Sequence, residues 1–558
     1  MLWEQSTHQQ RTYGLLLLAI VGTYLTGWFI PLMEIDAVQY ANISREMLLN
    51  RSFIQVFDNG EDYLDKPPLL FWLSSASMYF FGINQYAYRL PSFLCSLLAL
   101  YSCYRLCLLF YKIEIALISV LVLASCQAMF LVNHDVRTDT MLMGWVTMSI
   151  WQLAAWYQNK QWINLILASV AMAAGMMTKG PIAVMVPVFA FLPHFVLRRQ
   201  WKQLVKWEYL VIIAIVLVLL LPMMTGLYRQ FDLHPEKVMY GQTGTSGLTF
   251  FFWTQSFGRI TGQSTWHEYD SFLFLYQNML WSFLPWIIFF SIALLVEITD
   301  IIRSGFKLVP NKEWITTGGF IVTYCALASS RAQLPHYIFV VFPLAAIITA
   351  KFLYNLLTKV STGKAAKILV GFHNGLFMLL WLASLVLLYI PFSKINKGWL
   401  TVTYVLLALV YVLVIRKAKV VAPLLRNALF TITGINLLLN VFFYPALLQF
   451  QPGVAINQFL AKNNITPGKV YRYQFGFSRS LNFYANHNFD QLSNLALLPS
   501  NTYIITTQQV KDSLGQRQFA TVFRGHDFHV TMLSLRFLNP AKRFKEVTPY
   551  YILKKKDD

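Results

Sequence analysis

The chain has 558 residues, of which 56% are hydrophobic and only 13% are charged, and its mean hydropathy is +0.50. Soluble globular chains carry about a quarter charged residues, so this composition excludes an ordinary soluble protein and predicts an integral membrane protein with many spans. The net charge of +20 would suggest nucleic-acid binding in a soluble chain. Here it indicates basic cytoplasmic loops and contacts with anionic lipid, and no nucleic-acid partner is predicted.

Apolar segments of the length of a bilayer span recur along the first 450 residues. A transmembrane helix needs about 20 apolar residues. The first segment is not followed by a small-residue cleavage site, so it is interpreted as a retained helix. We predict about thirteen transmembrane helices, near residues 12–32, 89–110, 115–132, 140–157, 162–176, 181–197, 208–227, 272–297, 315–329, 337–354, 368–391, 399–415 and 427–448.

Basic residues follow the even-numbered spans. The loop after the sixth span reads RRQWKQLVK (198–206), and the loop after the twelfth begins RKAK (416–419). Because Lys and Arg are enriched in cytoplasmic loops, these loops are predicted to be cytoplasmic. An odd number of spans then places the N-terminus inside and the C-terminal segment outside.

The first loop on the outer face begins MEIDAVQYANISREM (33–47), directly after the first span. Glu34 and Asp36 are therefore predicted to lie at the outer membrane rim. Residues 37–50 mix apolar and polar positions in a way that suits a helix along the membrane surface. The sequence thus places two carboxylates at the start of an interfacial helix.

An acid–base pair follows in the same loop, in YLDKPPLLFW (63–72). Asp65 and Lys66 precede two prolines, which are tolerated in the first turn of a helix, and 69–81 is predicted to be a second interfacial helix. The pair could also be a plain loop salt bridge, which would contribute less than about 1 kcal/mol.

Four other loops predicted on the outer face contribute further ionisable residues. Asp139 could be a helix cap, and Lys179, in MMTKGPIAV, could simply end a helix. Arg331 lies in the tight turn SSRAQLPHY, and FGRITGQSTWHEYD contains Arg259 and His267; a lone His is more often structural than a metal ligand. Together these loops bring acids and cations to one membrane face. This combination suits a phosphate-bearing lipid substrate, with cations on the phosphate and a carboxylate acting as a base or a metal ligand.

The composition changes near residue 450. Residues 1–450 are predicted to form the transmembrane catalytic domain, and 451–558 a small soluble α/β domain on the outer face. KVYRYQF (469–475) and NTYIITT (501–507) are typical of buried strands, and VAINQFLAKNN (454–464) of a short helix. No catalytic motif is visible in this domain.

Several of these motifs occur together in one known family. DAVQYANISREML (36–48), YLDKPPLLFW (63–72), FGINQYAYRLPS (81–92), MTKGP (177–181) and LPHY (334–337) resemble the bacterial type-C (GT-C) membrane glycosyltransferases. The closest resemblance is to the aminoarabinose transferases that modify lipid A, and protein O-mannosyltransferases are more distant. The resemblance covers roughly residues 10–450. It implies a GT-C fold, mainly α and polytopic, in a bacterial inner membrane.

The resemblance also implies an activity and roles for individual residues. Members of this family transfer a sugar from a polyprenyl (undecaprenyl) monophosphate to a lipid, glycan or protein acceptor on the periplasmic side. A divalent metal ion is left open. The resemblance assigns Asp36 and Asp139 as catalytic, Lys66, Lys179, Arg259 and Arg331 to the donor phosphate, Glu34, Tyr40 and Tyr337 to orientation of acceptor or donor, and Asp65 and His267 as metal ligands.

Departures at three positions bear on the substrate more than on the reaction class. The aminoarabinose transferases read Asp-Glu-Thr-Arg-Tyr where this chain reads Asp-Ala-Val-Gln-Tyr, so Ala37 and Gln39 replace an acid and a cation. Gln333 stands where those relatives have Lys. A transporter or flippase remains an alternative, although it would more often show acids in mid-membrane. A non-catalytic membrane scaffold is a further alternative to the transferase.

Overall fold

The computed structural model describes residues 2–255, 258, 271–308, 312–358, 364–416, 422–514 and 518–556. Residues 2–450 are predominantly helical within these ranges. The α-helices of this part are α1 (Leu2–Thr26), α2 (Asp36–Leu49), α3 (Leu69–Phe81), α4 (Gln85–Leu108), α5 (Ile113–Ala124), α6 (Gln127–Val132), α7 (Thr138–Asn159), α8 (Trp162–Lys179), α9 (Ile182–Leu197), α10 (Glu208–Leu227), α11 (Gly247–Thr249), α12 (Phe274–Ser282), α13 (Ile287–Arg303), α14 (Ile315–Ala328), α15 (Phe342–Thr358), α16 (Lys364–Tyr389), α17 (Lys397–Val410), α18 (Pro423–Leu438) and α19 (Tyr444–Leu447). Two short hairpins lie in the loops, formed by β1 (Phe57–Asp58) with β2 (Glu61–Asp62) and by β3 (Val238–Met239) with β4 (Gln242–Thr243).

Eight helices among the described residues are long and apolar enough to cross a membrane. They coincide with eight of the predicted spans, including the short candidate 162–176, which the structure extends to Trp162–Lys179. The eight are Arg11–Phe29, Gln85–Leu108, Trp162–Lys179, Trp201–Asp232, Pro335–Thr358, Lys367–Tyr389, Lys397–Ile415 and Pro423–Phe450. A multi-pass membrane protein is thereby confirmed, whereas the count of thirteen stays a prediction.

Two predicted spans are each divided into two helices. The segment 115–132 breaks between α5 and α6, and the segment 272–297 breaks between α12 and α13, where Pro285 follows Leu284. Proline cannot donate the backbone hydrogen bond that a continuous helix requires, so an apolar run that contains it need not be one helix. Hydropathy alone does not detect such a break.

Close backbone contacts join two helices and bring the first of the loops predicted on the outer face, here called the outer loops, against a third helix. A Cβ atom on Gly144 of α7 would lie 2.5 Å from the carbonyl oxygen of Cys95 in α4, so these two helices need glycine there. A Cβ on Gly226, in α10, would lie 2.2 Å from the carbonyl oxygen of Ile54. Glycine at these points lets α4 approach α7 and lets the first outer loop lie directly on α10.

One buried arginine joins the first two outer loops. Arg89 of α4 is fully buried, and its guanidinium donates to the carbonyl oxygens of His134 (2.9 Å) and Trp28 (2.8 Å). The same guanidinium also donates a longer hydrogen bond to the carbonyl oxygen of Pro31 (3.4 Å). Arg89 therefore fixes the end of the first span relative to the loop that carries Asp135 and Arg137.

The last hundred residues contain a mixed sheet. Its helices are α20 (Pro452–Lys462), α21 (Arg479–Ala485), α22 (Gln508–Ser513) and α23 (Leu535–Leu538), and its strands are β5 (Val470–Arg472), β6 (Tyr503–Thr507), β7 (Phe519–Asp527) and β8 (Thr548–Lys555). The strand order is β5-β6-β8-β7, with β5 parallel to β6 and the other neighbours antiparallel. The two predicted strands and the predicted helix are present, with shorter strands; β7 and β8 were not predicted.

Candidate functional site

A cavity opens between the first outer loop and the ends of several membrane helices. Its wall is mainly apolar, and its charged residues come from the loop before α3, from the start of α7 and from the end of α8. The apolar wall includes Leu142, Ile182, Met185, Met223, Leu227 and Val340, and the charged residues that line it are Asp65, Lys66, Asp139 and Lys179. Four of the charged residues predicted from the sequence therefore share one cavity.

The local sequence explains how two of the cations reach this cavity. Lys66 precedes Pro67 and Pro68, and α3 begins at Leu69, as the prolines predict. Lys179 is the last residue of α8, and Gly180 ends that helix with a φ of +97°, a conformation that favours glycine. Each lysine is therefore held at a helix end, where its position depends little on the rest of the loop.

Lys66 is paired with its neighbour in sequence. Its Nζ lies 2.7 Å from Oδ2 of Asp65, and both side chains are partly exposed. Gln255 donates from Nε2 to the other carboxylate oxygen of Asp65 (2.9 Å) and to its backbone carbonyl (3.1 Å). A lysine ammonium has three donors, so Lys66 can bind a phosphate oxygen as well as Asp65.

Lys179 belongs to a second, more deeply buried pair. It forms an ion pair with Asp139, whose side chain is only 2% exposed, and His336 Nε2 lies 3.5 Å from the other oxygen of that carboxylate. The ammonium also lies 4.1 Å from the ring centre of Tyr337, which is a cation–π distance. Asp139 and Tyr337 thus hold Lys179 on the cavity wall.

A third cluster links the first two outer loops through Arg137. Its Nη1 lies 2.7 Å from Oδ2 of Asp36, and its Nε lies 2.9 Å from Oδ2 of Asp135. Asp135 is 5% exposed, whereas Asp36, in the first turn of α2, is 40% exposed. Asp36 is therefore oriented by a partly buried guanidinium and remains accessible.

The electrostatics of this cluster follow from burial and from the two carboxylates. Burial raises the pKa of Asp135, and Arg137 opposes that rise. Burial would lower the pKa of Arg137, but Asp135 and Asp36 raise it above its ordinary value. The guanidinium is therefore charged at any working pH and fixes Asp36 electrostatically.

The remaining predicted site residues lie in different surroundings. Tyr40 is buried in the core beneath α2, where desolvation and the charges of Asp36 and Asp65 raise its pKa well above its ordinary value. Arg331 is exposed, in the turn next to Ser330 of the cavity wall. Arg259 and His267 lie outside the described residues.

Glu34 contacts the C-terminal part of the chain. Its Oε1 accepts hydrogen bonds from the backbone N–H of Ser480 (3.0 Å) and from the hydroxyls of Ser480 (2.6 Å) and Ser478 (2.9 Å). Its backbone N–H donates to Gln451 (3.0 Å). In the structure Glu34 therefore anchors the start of α21.

A second contact to the C-terminal part involves one of the departures from the family pattern. Gln39 donates to Oδ2 of Asp58 (2.7 Å), and Arg479 binds the same oxygen (2.9 Å). The amide that replaces a family arginine thus bonds to a carboxylate that already has a cationic partner from elsewhere in the chain.

The described residues do not fit a metal ion. None of their His, Cys, Asp and Glu side chains forms a group of three or more that could hold one. Asp65, which was predicted as a ligand, is bound to Lys66 and Gln255. We therefore derive no chemical step through a metal from this part of the chain.

Sequence reasoning did not assign three residues that the structure brings to the site. Arg137, His336 and Gln255 contact the predicted acids Asp36, Asp139 and Asp65 respectively. Arg137 could have been found, because it lies between two acids in DVRTD and a buried acid needs a cationic partner. His336 lies inside the LPHY motif, but its contact with Asp139 joins residues almost 200 positions apart.

A family profile matches the first part of the chain. The profile of the dolichyl-phosphate-mannose-protein mannosyltransferases matches residues 65–225. This stretch includes Lys66, Asp139 and Lys179, which all line the cavity.

Curated relatives share moderate sequence identity with the chain. The "undecaprenyl phosphate-alpha-4-amino-4-deoxy-L-arabinose arabinosyl transferase" of Erwinia tasmaniensis is 28% identical over 46% of this chain and 44% of its own length. The protein of the same name from Edwardsiella ictaluri is 26% identical over 62% of this chain and 59% of its own length. The chain thus matches about half the length of these relatives.

Solved structures match along nearly the whole chain. The crystal structure of ArnT from Cupriavidus metallidurans bound to undecaprenyl phosphate has a TM-score of 0.69 at 18% identity, over 96% of this chain and 97% of that one. Its apo form has a TM-score of 0.70 at 18% identity, over 98% of both chains. At this identity the match shows the fold. The resemblance drawn from the motifs is thus confirmed: in sequence and fold the chain is similar to the type-C membrane glycosyltransferases of the aminoarabinose-transferase kind.

Proposed function

We propose that the protein is an integral membrane glycosyltransferase that takes a sugar from a polyprenyl monophosphate and transfers it to an acceptor at the outer face of the membrane. A cell-envelope glycolipid such as lipid A is the first candidate for the acceptor. The proposal includes the predicted orientation, with the N-terminus in the cytoplasm and the C-terminal domain in the periplasm. The names of the relatives and the undecaprenyl phosphate bound to a protein of the same fold support this donor class.

One observation carries the proposal: two lysines, Lys66 and Lys179, lie on the wall of a mainly apolar cavity between membrane helices and a surface loop. A polyprenyl phosphate has an apolar tail and an anionic head. Its binding site therefore needs an apolar wall for the tail and cations for the phosphate. Cations in an apolar environment are rare unless they have a function or a partner. Here each lysine has a carboxylate partner that fixes it, and an ammonium group has three donors with which to bind anionic oxygens.

In the proposed reaction, an acceptor oxygen forms a bond to the anomeric carbon while the bond from that carbon to the phosphate oxygen breaks. The electron pair of the broken bond remains on the phosphate, which departs with the polyprenyl tail. Lys66 and Lys179 stabilise the charge that develops on this leaving group, and Arg331 contributes from the turn beside the cavity. Arg259 is proposed for the same role from the sequence alone. Fixed cations that act on developing charge commonly provide a large part of the rate enhancement.

Asp36 acts on the acceptor. If the acceptor is a hydroxyl, its proton passes to the Asp36 carboxylate as the new bond forms. If the acceptor is a phosphate, it carries no proton to remove, and Asp36 orients it or stabilises positive charge on the sugar ring. Arg137 positions Asp36 without touching the substrate, and Asp139 in the same way positions Lys179.

The test uses purified full-length protein in detergent and a radiolabelled pool of polyprenyl-phosphate sugars extracted from cells. Loss of label from the carrier and its gain by acceptor fractions are followed for the wild type and for Asp36→Asn. We expect transfer by the wild type and a loss of about 100-fold or more in the variant, since general-base groups contribute that much. Equal turnover by both proteins would contradict the role of Asp36.

A protein acceptor is the second candidate, and the family profile that matches residues 65–225 favours it. The two candidates differ in where the label appears. Label in the lipid fraction supports a glycolipid acceptor, and label that precipitates with protein and is released by protease supports a protein acceptor. Carrier that crosses the bilayer of a reconstituted vesicle without losing its sugar would instead identify a flippase.

A further inference from the structure

A second cavity lies where the C-terminal part of the chain meets the ends of the membrane helices. Its volume is about 740 Å³, within the range of small-molecule sites. Phe392, in the turn between α16 and α17, and Phe450, at the end of the last apolar helix, form one side. Residues of α20 and β7 form the other side.

The charged residues of this cavity are all basic. Among the described residues no Asp or Glu lines it. The five basic residues are Lys394, Lys462, Arg524, His526 and Arg543. Their combined positive field is unbalanced within the cavity, and such a field favours an anionic ligand.

Three of these residues have no anionic partner in the part of the chain that the structure describes. Lys394, Lys462 and Arg524 form no ion pair there, and their side chains are exposed. Desolvation, together with the charges of Arg524 and Lys394, lowers the pKa of His526, so both cations act on the same space. The positive groups therefore converge although they come from different elements.

Arg543 gives the cavity a rigid cationic wall. Its Nε donates to the carbonyl oxygen of Phe537 (2.9 Å) and its Nη2 to that of Pro391 (2.5 Å). Its guanidinium also lies 5.0 Å from the ring centre of Phe392 and 5.2 Å from that of Phe450. Arg543 therefore stabilises the junction itself, whereas the lysines and Arg524 are available to a ligand.

The position of the cavity indicates which class of anion it binds. Ser393 and Lys394 lie in the short turn that joins two apolar helices, each long enough to span a membrane. The turn is therefore at the level of the lipid headgroups, where phosphate esters are the abundant anions. Several lysines and arginines around one space suit a phosphate, which has three or more acceptor oxygens.

We propose that this cavity is a binding site for a phosphate-ester headgroup, separate from the cavity that contains Lys66 and Lys179. The inference concerns binding alone and does not depend on the proposed transferase activity. The headgroup can belong to an anionic membrane lipid, or the site can take a free phosphate; the two sources share the phosphate group that Lys394, Lys462 and Arg524 recognise.

The experiment compares wild type with Lys394→Gln/Arg524→Gln in the full chain. The matched control is Lys469→Gln/Lys511→Gln, which removes two charges from the same part of the chain but outside the cavity lining. Native mass spectrometry in detergent counts the phosphatidylglycerol molecules that each protein retains, with phosphatidylcholine as the lipid without net charge. Isothermal titration with inorganic phosphate tests the free anion.

We expect the cavity variant to retain one phosphatidylglycerol fewer than wild type and to bind it at least about tenfold more weakly, since each charge-assisted contact contributes roughly a factor of ten. The control should equal wild type. Competition by inorganic phosphate would identify the anion itself as sufficient, and its failure to compete would identify a lipid-borne headgroup; either supports the site. The same phosphatidylglycerol count and affinity in all three proteins, with no difference in phosphate binding, would overturn it. If the double variant does not fold, Lys394→Gln is compared with Lys469→Gln.

Discussion

The two cavities differ in how their cations are balanced. In the cavity beneath the first outer loop, each described lysine has a carboxylate beside it, Asp65 for Lys66 and Asp139 for Lys179. In the cavity at the C-terminal junction, the described lining contains five basic residues and no acid. Both cavities suit phosphate, but they suit it for different purposes.

A carboxylate beside a lysine lowers the net field and fixes the position of the ammonium. Such an arrangement binds a ground-state anion less strongly, but it holds the cation where charge develops during a reaction, and preorganised groups of this kind stabilise a transition state. A cavity with unbalanced cations binds an anion strongly and need not position it accurately. The comparison therefore predicts chemistry at the first cavity and retention at the second.

The largest expected effect comes from Arg137→Gln. The change leaves Asp135 buried without its cation, and breaking such a pair typically destabilises a protein by about 3 kcal/mol. Because burial already raises the pKa of Asp135, the variant carboxyl takes up a proton as the pH falls, and the penalty shrinks. A lower denaturation midpoint in detergent, with a greater loss at pH 8 than at pH 5, is the expected result.

The double variant Arg137→Gln/Asp135→Asn separates stability from positioning. Removing both charges should restore most of the stability, since neither partner is then buried and unpaired. Transfer should stay low, because Asp36 has still lost the guanidinium that orients it. Full recovery of transfer in the double variant would contradict the positioning role of Arg137.

Lys66→Gln should have the next largest effect. It removes a cation from the proposed leaving group, and the loss of one such stabilising donor costs about 100-fold to 1,000-fold in turnover. Asp65 is partly exposed and remains solvated, so the fold should persist. Initial rates of sugar release, together with the unfolding midpoint, measure the two effects separately.

The control for this lysine is Lys312→Gln. Lys312 pairs with Asp300 at 3.6 Å, and both side chains are more than half exposed, so the change removes one positive charge from an ion pair that does not line the cavity. Its turnover should equal that of wild type. A comparable loss in both variants would indicate a general effect of charge on the assay.

The sequence predicted the local features of the site better than the contacts between them. Helices 36–49 and 69–81, the Lys-Gly helix end at 179–180 and the acids of the outer loops all follow from short-range patterns. The pairing of Asp36 with Arg137 and of Asp139 with Lys179 depends on how distant helices pack, which one sequence does not encode locally. The role of Glu34 as an anchor for α21 is of the same kind, since its partners are more than 440 residues away.

Local sequence patterns also predicted only some of the elements in the C-terminal part. Strand β6 was predicted because YIITT is apolar and β-branched, whereas β7 contains FRGHD and β8 ends in charged residues. Their polarity is explained by the structure, since β7 is an edge strand and both carry exposed residues. The basic cavity could not have been predicted, because its five basic residues come from four separate segments of the chain.

A contact between the C-terminal part and the first outer loop leads to a third prediction. Arg479 binds Asp58 at 2.9 Å, and Asp58 is 11% exposed, so Arg479→Gln should weaken the attachment of α21 to the first outer loop. We expect a loss of roughly 1–3 kcal/mol, as for other hydrogen bonds that involve a charged group. Limited proteolysis near residues 475–490 should become faster, and Lys469→Gln, which removes an exposed lysine of the same part, should leave this site protected. Unchanged cleavage in Arg479→Gln would show that Glu34 and its serine partners hold the contact without it.

The smallest expected effect concerns Asp527, which follows His526 of the basic cavity. Desolvation, with a further contribution from Glu34, raises the pKa of Asp527 to about 6. The folded chain therefore binds this proton more tightly than the unfolded chain, so stability falls as the pH rises toward about 6 and then stays level. Asp527→Asn should raise the thermal midpoint at pH 7 and leave it unchanged at pH 4.

Asp512→Asn is the opposite case, because its hydrogen bond from Gln508 lowers the pKa of Asp512, and the variant should lose a little stability at pH 7. If Asp527→Asn instead lowers the midpoint at pH 7, the positive field of the nearby cavity outweighs the repulsion from Glu34. The contrast between a balanced and an unbalanced cavity would then extend to the carboxylates at its edge.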